Sequence, residues 1–97
     1  MRLGGPLFVG CPDPDHWIAA LRRRGYSAAY CPLERLDHTA IRAYADAAQE
    51  AGVVIAEVGA WSNPLSPDEE TRRLALEKCR ERLALADEIG ARCCVNI

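Results

Sequence analysis

The chain has 97 residues, of which 49% are hydrophobic and 27% are charged, and its formal net charge is −2. This composition is typical of one small folded domain and excludes a disordered tail. The small negative charge gives no electrostatic basis for binding nucleic acid or an anionic membrane. No apolar run reaches the length that spans a membrane, and the glycine-rich N-terminus does not fit a signal peptide. We therefore expect neither a nucleic-acid nor a membrane partner.

The first predicted unit is a strand followed by a helix. The apolar run Leu3–Val9 predicts the strand. Asp13 is a suitable helix cap, and Pro14 suits the first helical position because no intrahelical N–H bond is needed there. Gly25 is expected to end the helix in a left-handed conformation. The helical pattern is carried by Trp17, Ala20, Leu21 and Arg24, which recur at three- and four-residue spacings.

The second predicted unit has the same organisation. A strand is expected within Tyr26–Cys31, and the following proline interrupts it. Asp37 is the expected cap of the second helix, and Gly52 is its expected end. The apolar positions of this helix recur at three- and four-residue spacings, which is typical of an amphipathic helix. They are Ile41, Tyr44, Ala45 and Ala48.

The third predicted unit contains the most strand-like run, Val53–Val58, which is rich in β-branched residues. Ser66 as the cap, Pro67 at the first helical position and Glu69 three residues after the cap predict a capping box. The predicted buried stripe of this helix consists of Leu76, Cys79, Leu83 and Ala86. The stretch 91–97, ARCCVNI, follows the glycine that ends the helix and predicts a fourth strand.

The cysteine pattern argues against a disulfide framework. The five cysteines are odd in number and irregularly spaced, and they include no CxxC pair. We interpret them as buried, reduced thiols, which favours a cytoplasmic location. They are Cys11, Cys31, Cys79, Cys93 and Cys94.

The order β-α-β-α-β-α-β predicts parallel strands and an α/β fold, because each crossover between strands is a helix. The junction GCPDPD lacks the glycine-rich phosphate turn of a doubly wound nucleotide-binding sheet. The preferred architecture is therefore a partial (β/α)8 barrel that lacks its C-terminal units, with residues 1–97 as a single incomplete domain. Its unpaired strand edges predict self-association or a partner that supplies the missing strands.

Two stretches resemble a known family. The string IAEVGAWSNPLSPDEETRR, followed by a long helix and GARCCVNI, is similar to the third-strand to fourth-strand region of the sugar phosphate isomerase/epimerase family, whose fold is a xylose-isomerase-like barrel. GYSAAYCPL resembles the second strand of that family. The resemblance implies isomerisation or epimerisation of a small sugar or polyol with a divalent metal, Mn, Mg, Co or Zn, in the complete barrel. The ligands in this family come mainly from later strands, so this chain alone is expected to be inactive and to bind no complete metal centre.

Five residues are candidates for the walls of a substrate pocket. Glu57 lies at the carboxyl end of a strand, where barrels have their functional cavity. It is either a base behind the metal ligands or a contact for substrate hydroxyls, or else a structural carboxylate that is paired with a neighbouring arginine or capped by backbone. Trp61 is either an apolar wall against a sugar or a loop-packing residue. Asn96 either binds a substrate hydroxyl or supports a metal ligand, or it is a structural amide at the end of the barrel. Tyr30 stands where many relatives have an acidic residue, and His16 lies in the opening turn of the first helix. No catalytic residue is assigned.

Two classes of function remain open. In the first, the chain is the N-terminal portion of a metal-dependent sugar isomerase or epimerase. In the second, it is a non-catalytic half-barrel that acts as an oligomer or with a partner that supplies the missing strands. Sequence downstream of Ile97 would distinguish them, because further strands ending in Glu, Asp and His would favour the enzyme.

Overall fold

The computed structural model describes residues 1–7, 10 and 12–96. Helices and strands alternate in these residues, and the three strands form one parallel sheet in the spatial order β1-β2-β3. The α/β class with parallel strands is therefore confirmed. The elements are α1 (Pro14–Arg23), β1 (Ala28–Tyr30), α2 (His38–Ala51), β2 (Val54–Gly59), α3 (Glu69–Ile89) and β3 (Cys93–Val95).

The helices cover one face of the sheet. In this sheet each new strand is added on the same side of the previous one, and connections between parallel strands are right-handed. All the connecting helices therefore lie on the same face of the sheet. Accordingly α2 and α3 pack against β2, and α2 also packs against α1 and α3. Ile55 and Val58 of β2 point into this layer and are buried, whereas Val54 and Glu57 point to the opposite face and are half-buried. A one-sided sheet of this kind is compatible with part of a barrel, whose strands also carry helices only on the outside.

The predicted first strand, Leu3–Val9, is corrected within the described residues. Residues 1–7 form a single parallel bridge, between Gly4 and Ala28, in place of a continuous ladder. A Cβ at Gly4 would lie 2.5 Å from the carbonyl oxygen of Ala28, so the close approach depends on glycine. The proline two residues later has no N–H for a ladder, which limits the pairing further. Phe8 and Val9 lie outside the described residues.

The starts of the first two helices and the ends of all three helices agree with the predictions. The Asp13 carboxylate accepts the amide N–H three residues on at 2.8 Å and caps α1. Asp37 caps α2 by accepting two amide N–H groups at 3.1 and 3.2 Å. Gly25, Gly52 and Gly90 have φ angles of 70°, 71° and 80°, in the left-handed region that glycine reaches most easily.

The start of α3 differs from the predicted capping box. Asp68, rather than Ser66, is the cap, and its carboxylate accepts the N–H of Thr71 at 2.9 Å and its hydroxyl at 2.6 Å. The buried Ser66 hydroxyl instead accepts the N–H of Asp68 at 3.2 Å. Aspartate and serine are equally good helix caps. Asp68 is the cap here because the Ser66 hydroxyl is already used in the turn that precedes the helix. The helix consequently begins at Glu69.

The predicted buried stripe of α3 is also partly wrong. Leu76 and Leu83 are 43% and 58% exposed, and Cys79 is half-buried. Both apolar sets have helical spacing, but the sheet packs against the set rotated toward α2. The buried residues of α3 are Ala75, Leu85, Ala86 and Ile89. In contrast, α1 buries Trp17, Ala20 and Leu21, and α2 buries Ile41, Tyr44 and Ala48, as predicted. Of the other positions in these two sets, Ala45 is half-buried and Arg24 is exposed.

The four described cysteines are free thiols, but they are less buried than predicted. Cys31, Cys79 and Cys94 are half-buried, and Cys93 is exposed. Cys94 packs against the core, so its neighbour Cys93 points to the open face of the sheet. Cys11 lies outside the described residues.

Candidate functional site

A cleft of about 310 Å³ lies where β1 and β2 end. Ligand sites in parallel α/β folds occur at this end of the strands. The cleft brings together three of the five predicted pocket residues, Tyr30, Glu57 and Trp61. Its other charged residues, which the sequence analysis did not select, are Glu34, Lys78 and Arg82.

A local irregularity in strand pairing brings Tyr30 and Glu57 together. Ala29 is paired with Ile55, but Tyr30 is paired with Glu57, so β2 contributes Ala56 as one extra residue. The backbone N–H that follows Tyr30 donates to the carbonyl oxygen of Glu57 at 2.9 Å. Bulges of this kind redirect side chains and are common beside active sites. The result is that Tyr30 and Glu57 are neighbours across the two strands and both line the cleft.

The Glu57 side chain is half-buried and has no hydrogen bond or ion pair to any residue that the structure describes. The alternative of a carboxylate paired with a neighbouring arginine is therefore not formed among these residues, although Arg82 lines the same cleft. Partial access to water avoids the large desolvation cost of a buried, unpaired carboxylate. Both carboxylate oxygens remain available as hydrogen-bond acceptors for a ligand.

Trp61 forms one wall of the cleft and is 52% exposed. Its indole ring lies against Gly59, where a Cβ would overlap the ring. Its carbonyl oxygen accepts a hydrogen bond of 3.0 Å from the Lys78 ammonium group, which connects the loop to α3. The glycine beneath the ring and the lysine bond hold an apolar surface next to the polar groups.

Lys78 and Arg82 are four residues apart on α3, on the same side of the helix, and both are half-buried. The Arg82 charge also acts on a neighbouring thiol: burial raises the pKa of Cys31, and the guanidinium partly opposes this rise. In the sequence, Lys78 and Arg82 precede Leu85 and Ile89 at three- and four-residue spacings, so all four residues lie on one side of α3. This side is apolar towards the C-terminal end of the helix and positively charged beside the cleft. The spacing could have identified the two cations from the sequence.

Asn96 lies after β3 and its side chain contacts backbone. Its amide donates to the carbonyl oxygens of Ala60 at 2.6 Å and Ser62 at 3.0 Å. These bonds use both amide hydrogens and fix the loop that carries Trp61. The geometry supports the structural alternative, in which Asn96 shapes the cleft from outside.

His16 lies in the first turn of α1 and does not line the cleft of Glu57. Its Nδ1 is 2.8 Å from each carboxylate oxygen of Asp13, and the imidazole is 67% exposed. The backbone N–H and the imidazole of His16 hold the pKa of Asp13 below its usual value. This pair stabilises the start of the helix.

The cleft does not contain the donor set of a divalent metal centre. Among the described residues, no group of three or more His, Cys, Asp and Glu side chains is arranged to hold a metal ion. The two cleft carboxylates, Glu34 and Glu57, are accompanied by the cations Lys78 and Arg82 rather than by further ligands. The arrangement is instead suited to hydrogen bonding with a polar ligand.

Comparisons with family models, curated proteins and solved structures found no match for this chain. The fold and the cleft are therefore the basis for a functional assignment. Among the described residues, no helix combines the length and the apolar character needed to cross a membrane.

Proposed function

We propose that the chain forms part of the substrate-binding end of a sugar isomerase or epimerase of the (β/α)8 barrel class. The observation that carries the proposal is the cleft at the carboxyl ends of β1 and β2, where the free Glu57 carboxylate lies beside the exposed Trp61 ring. Active sites of such barrels occupy this end of the strands. The sequential parallel sheet with helices on one face gives further support.

The cleft residues have properties that suit a small sugar or polyol. The Glu57 carboxylate accepts hydrogen bonds from hydroxyl groups, and the Trp61 ring contacts the apolar C–H face of a sugar. Arg82 and Lys78 donate to a carbonyl or anionic oxygen of the ligand. Isomerisation also needs a group that moves a proton between adjacent carbons, and that group comes from outside this chain.

The proposed complete barrel uses a divalent metal, Mn, Mg, Co or Zn, which polarises the substrate oxygens. The resemblance to the sugar phosphate isomerase/epimerase family implies that the metal ligands are carboxylates and histidines at the ends of the later strands. The free thiols of the described residues are in keeping with a cytoplasmic location, which we include in the proposal.

Tryptophan fluorescence tests the proposed site directly. Trp61 is half exposed, whereas Trp17 is 2% exposed, so a ligand in the cleft should change mainly the Trp61 emission. We expect saturable changes with members of a panel of pentoses, hexoses, their phosphates and polyols. Glu57→Gln should weaken binding about tenfold because a neutral amide replaces the charged acceptor.

Glu50→Gln on the exposed surface of α2 is the matched control for Glu57→Gln, since it makes the same chemical change away from the cleft. It should leave binding unchanged. Absence of saturable binding across the panel, or equal binding by Glu57→Gln and the unchanged chain, would contradict the proposal.

A non-catalytic half-barrel is the second candidate. The exposed Leu76 and Leu83 of α3 favour it, because apolar residues on that surface call for a covering partner. Turnover assays with added Mn²⁺ test whether the 97-residue chain is catalytic by itself. We expect no isomerisation. Turnover would reject the non-catalytic candidate, and it would also show that metal ligands from other strands are not needed.

A further inference from the structure

One surface of the molecule combines a free strand edge with an apolar helix side. β3 is the last strand of the described sheet and is paired only with β2. Next to it, α3 exposes Leu76 and Leu83. We call these two leucines, with Arg72 and Asp87 at either end of the row, the α3 flank.

The α3 flank points away from α2. Glu88 marks the side of α3 that contacts α2, because it accepts a hydrogen bond from His38 at the start of α2. At 100° per residue, Leu76 and Leu83 lie roughly 120–140° around the helix from Glu88. The flank is therefore on the side of the free β3 edge, so strand edge and helix flank form one continuous surface.

We propose that this surface binds a second copy of the same chain around a two-fold axis. The two β3 edges pair antiparallel and join the two sheets into one sheet of six strands, while the two α3 helices pack antiparallel on the same face. The proposal rests on the second candidate function, the half-barrel, because in a complete barrel the next strand would pair with the same β3 edge. The cleft of Glu57, at the ends of β1 and β2, is not part of the contact.

The positions of α3 and β3 fit this arrangement. α3 packs against β3 as well as against β2. Pairing of the two β3 edges therefore brings the two α3 helices next to each other on one face of the joined sheet.

Charge complementarity selects a second copy as the partner. In an antiparallel pair centred between Leu76 and Leu83, each Leu76 meets Leu83 of the other copy. The same symmetry brings each Arg72 to Asp87 of the other copy, because both lie equally far from the centre. The contact is self-complementary, as a two-fold interface requires.

The positions of these charges in α3 give a second argument. Arg72 is close to the N-terminus of α3, where its guanidinium donates to the carbonyl oxygen of Ser66 at 3.1 Å, and Asp87 is in the last turn. Each charge is unfavourable there for the dipole of its own helix. In the antiparallel pair each charge lies beside the opposite end of the neighbouring helix. Charges that are unfavourable in one copy become favourable between two copies.

The open face of the sheet is the competing surface. It carries Val54, but also the Glu57 carboxylate and the exposed Tyr30. Face-to-face packing would bury that carboxylate without a partner among the described residues, at a large desolvation cost. This favours the β3 edge and the α3 flank.

Sedimentation equilibrium of the 97-residue chain tests the proposal. We expect a monomer–dimer equilibrium between 10.7 kDa and twice that mass. Arg72→Glu or Asp87→Arg should each raise the dissociation constant about tenfold, because each places like charges opposite each other twice in the dimer. An equimolar mixture of the two variants should form a heterodimer with the original affinity, because both charge pairs are then attractive, one as in the original chain and one with its signs exchanged.

Two further variants locate the contact, and two serve as controls. Leu83→Ser should abolish the dimer, whereas Val54→Ser on the open sheet face should not. Arg42→Glu and Asp46→Arg make the same charge changes on exposed positions of α2 and should leave the dissociation constant unchanged. Circular dichroism of each variant verifies that the helices are retained, and the mixing experiment uses only variants that pass.

Each of three results would overturn the proposal. The chain could remain monomeric at every concentration, or form assemblies that grow beyond two copies. The dimer could depend on Val54 and not on Leu83. The mixture of Arg72→Glu and Asp87→Arg could associate no better than either variant alone.

Discussion

The two sides of α3 differ in how far they are covered. On the α2 side, Leu85 is fully buried and Glu88 accepts a hydrogen bond from His38. On the other side, Leu76 and Leu83 face solvent beside the free edge of β3. α3 therefore has one apolar face that is buried in the described fold and a second apolar face that is exposed to solvent. The comparison shows that helical spacing alone does not determine which face becomes the core.

Truncation of leucine on each side should give the largest contrast. Leu85→Ala should lower the free energy of unfolding by about 2–5 kcal/mol, because it leaves a cavity in the core. Leu76→Ala, measured at concentrations where the chain is monomeric, should change it by less than about 0.5 kcal/mol. Urea unfolding followed by circular dichroism measures both. Equal losses would mean that the exposed side is packed within one copy.

The difference between the two sides of α3 can also be tested at concentrations where the proposed dimer forms. Because Leu83 lies in the proposed contact and Leu85 does not, Leu83→Ser should alter the mass measured by sedimentation while leaving the unfolding of the monomer nearly unchanged. A stability loss from Leu83→Ser as large as that of Leu85→Ala in the monomer would argue against a surface position.

The start of α3 gives a smaller effect. Asp68→Ala should lower the midpoint of thermal unfolding by a few degrees, because two bonds to Thr71 are lost at the helix N-terminus. Glu69→Ala, at the next position, is the control and should cost less, since no side-chain bond of Glu69 caps the helix in the described residues. Thermal unfolding of both variants measures the difference. The predicted capping box would regain support if Glu69→Ala were the more harmful change.

The smallest effect concerns the contact of His38 with Glu88. The hydrogen bond from His38 to Glu88, and next the Glu88 charge, raise the pKa of His38 above 6.5. Because the folded-state pKa is above the unfolded value, the added stability is fully present below about pH 6.5 and is lost as the pH rises through the folded-state pKa. An NMR titration of the imidazole should show the raised pKa, and Glu88→Gln should return it towards 6.5. An unchanged pKa in Glu88→Gln would exclude this contact in solution.

Local signals predicted much of the fold. Asp13 and Asp37 cap their helices and Gly52 ends one, because these features depend on backbone bonds within a few residues. The choice between Ser66 and Asp68 was not predictable in the same way, because both are good caps and a turn decides between them. The sequence also could not select the buried face of α3, since two apolar sets have helical spacing and only contact with the sheet distinguishes them.

The candidate site was predictable to a similar degree. Glu57 and Trp61 meet in one cleft because the carboxyl ends of neighbouring parallel strands lie at the same edge. Whether Lys78 and Arg82 line the cleft depends on which side of α3 faces the sheet. The predicted buried side was partly wrong, and the two cations were therefore not predicted as cleft residues. Asn96 lies at a strand end as expected, but its amide bonds to backbone, which only the folded loop reveals.

The indole ring that lies against Gly59 has a consequence for how the cleft can change. The wall belongs to a loop residue, Trp61, and occupies volume that a strand side chain would otherwise fill. Gly59→Ala would displace this wall while leaving every charged group of the cleft in the sequence. Replacing Trp61 would change the shape of the wall without touching the sheet. Evolution could therefore alter the size of the accepted ligand through two neighbouring positions, independently of the groups that bind its polar atoms.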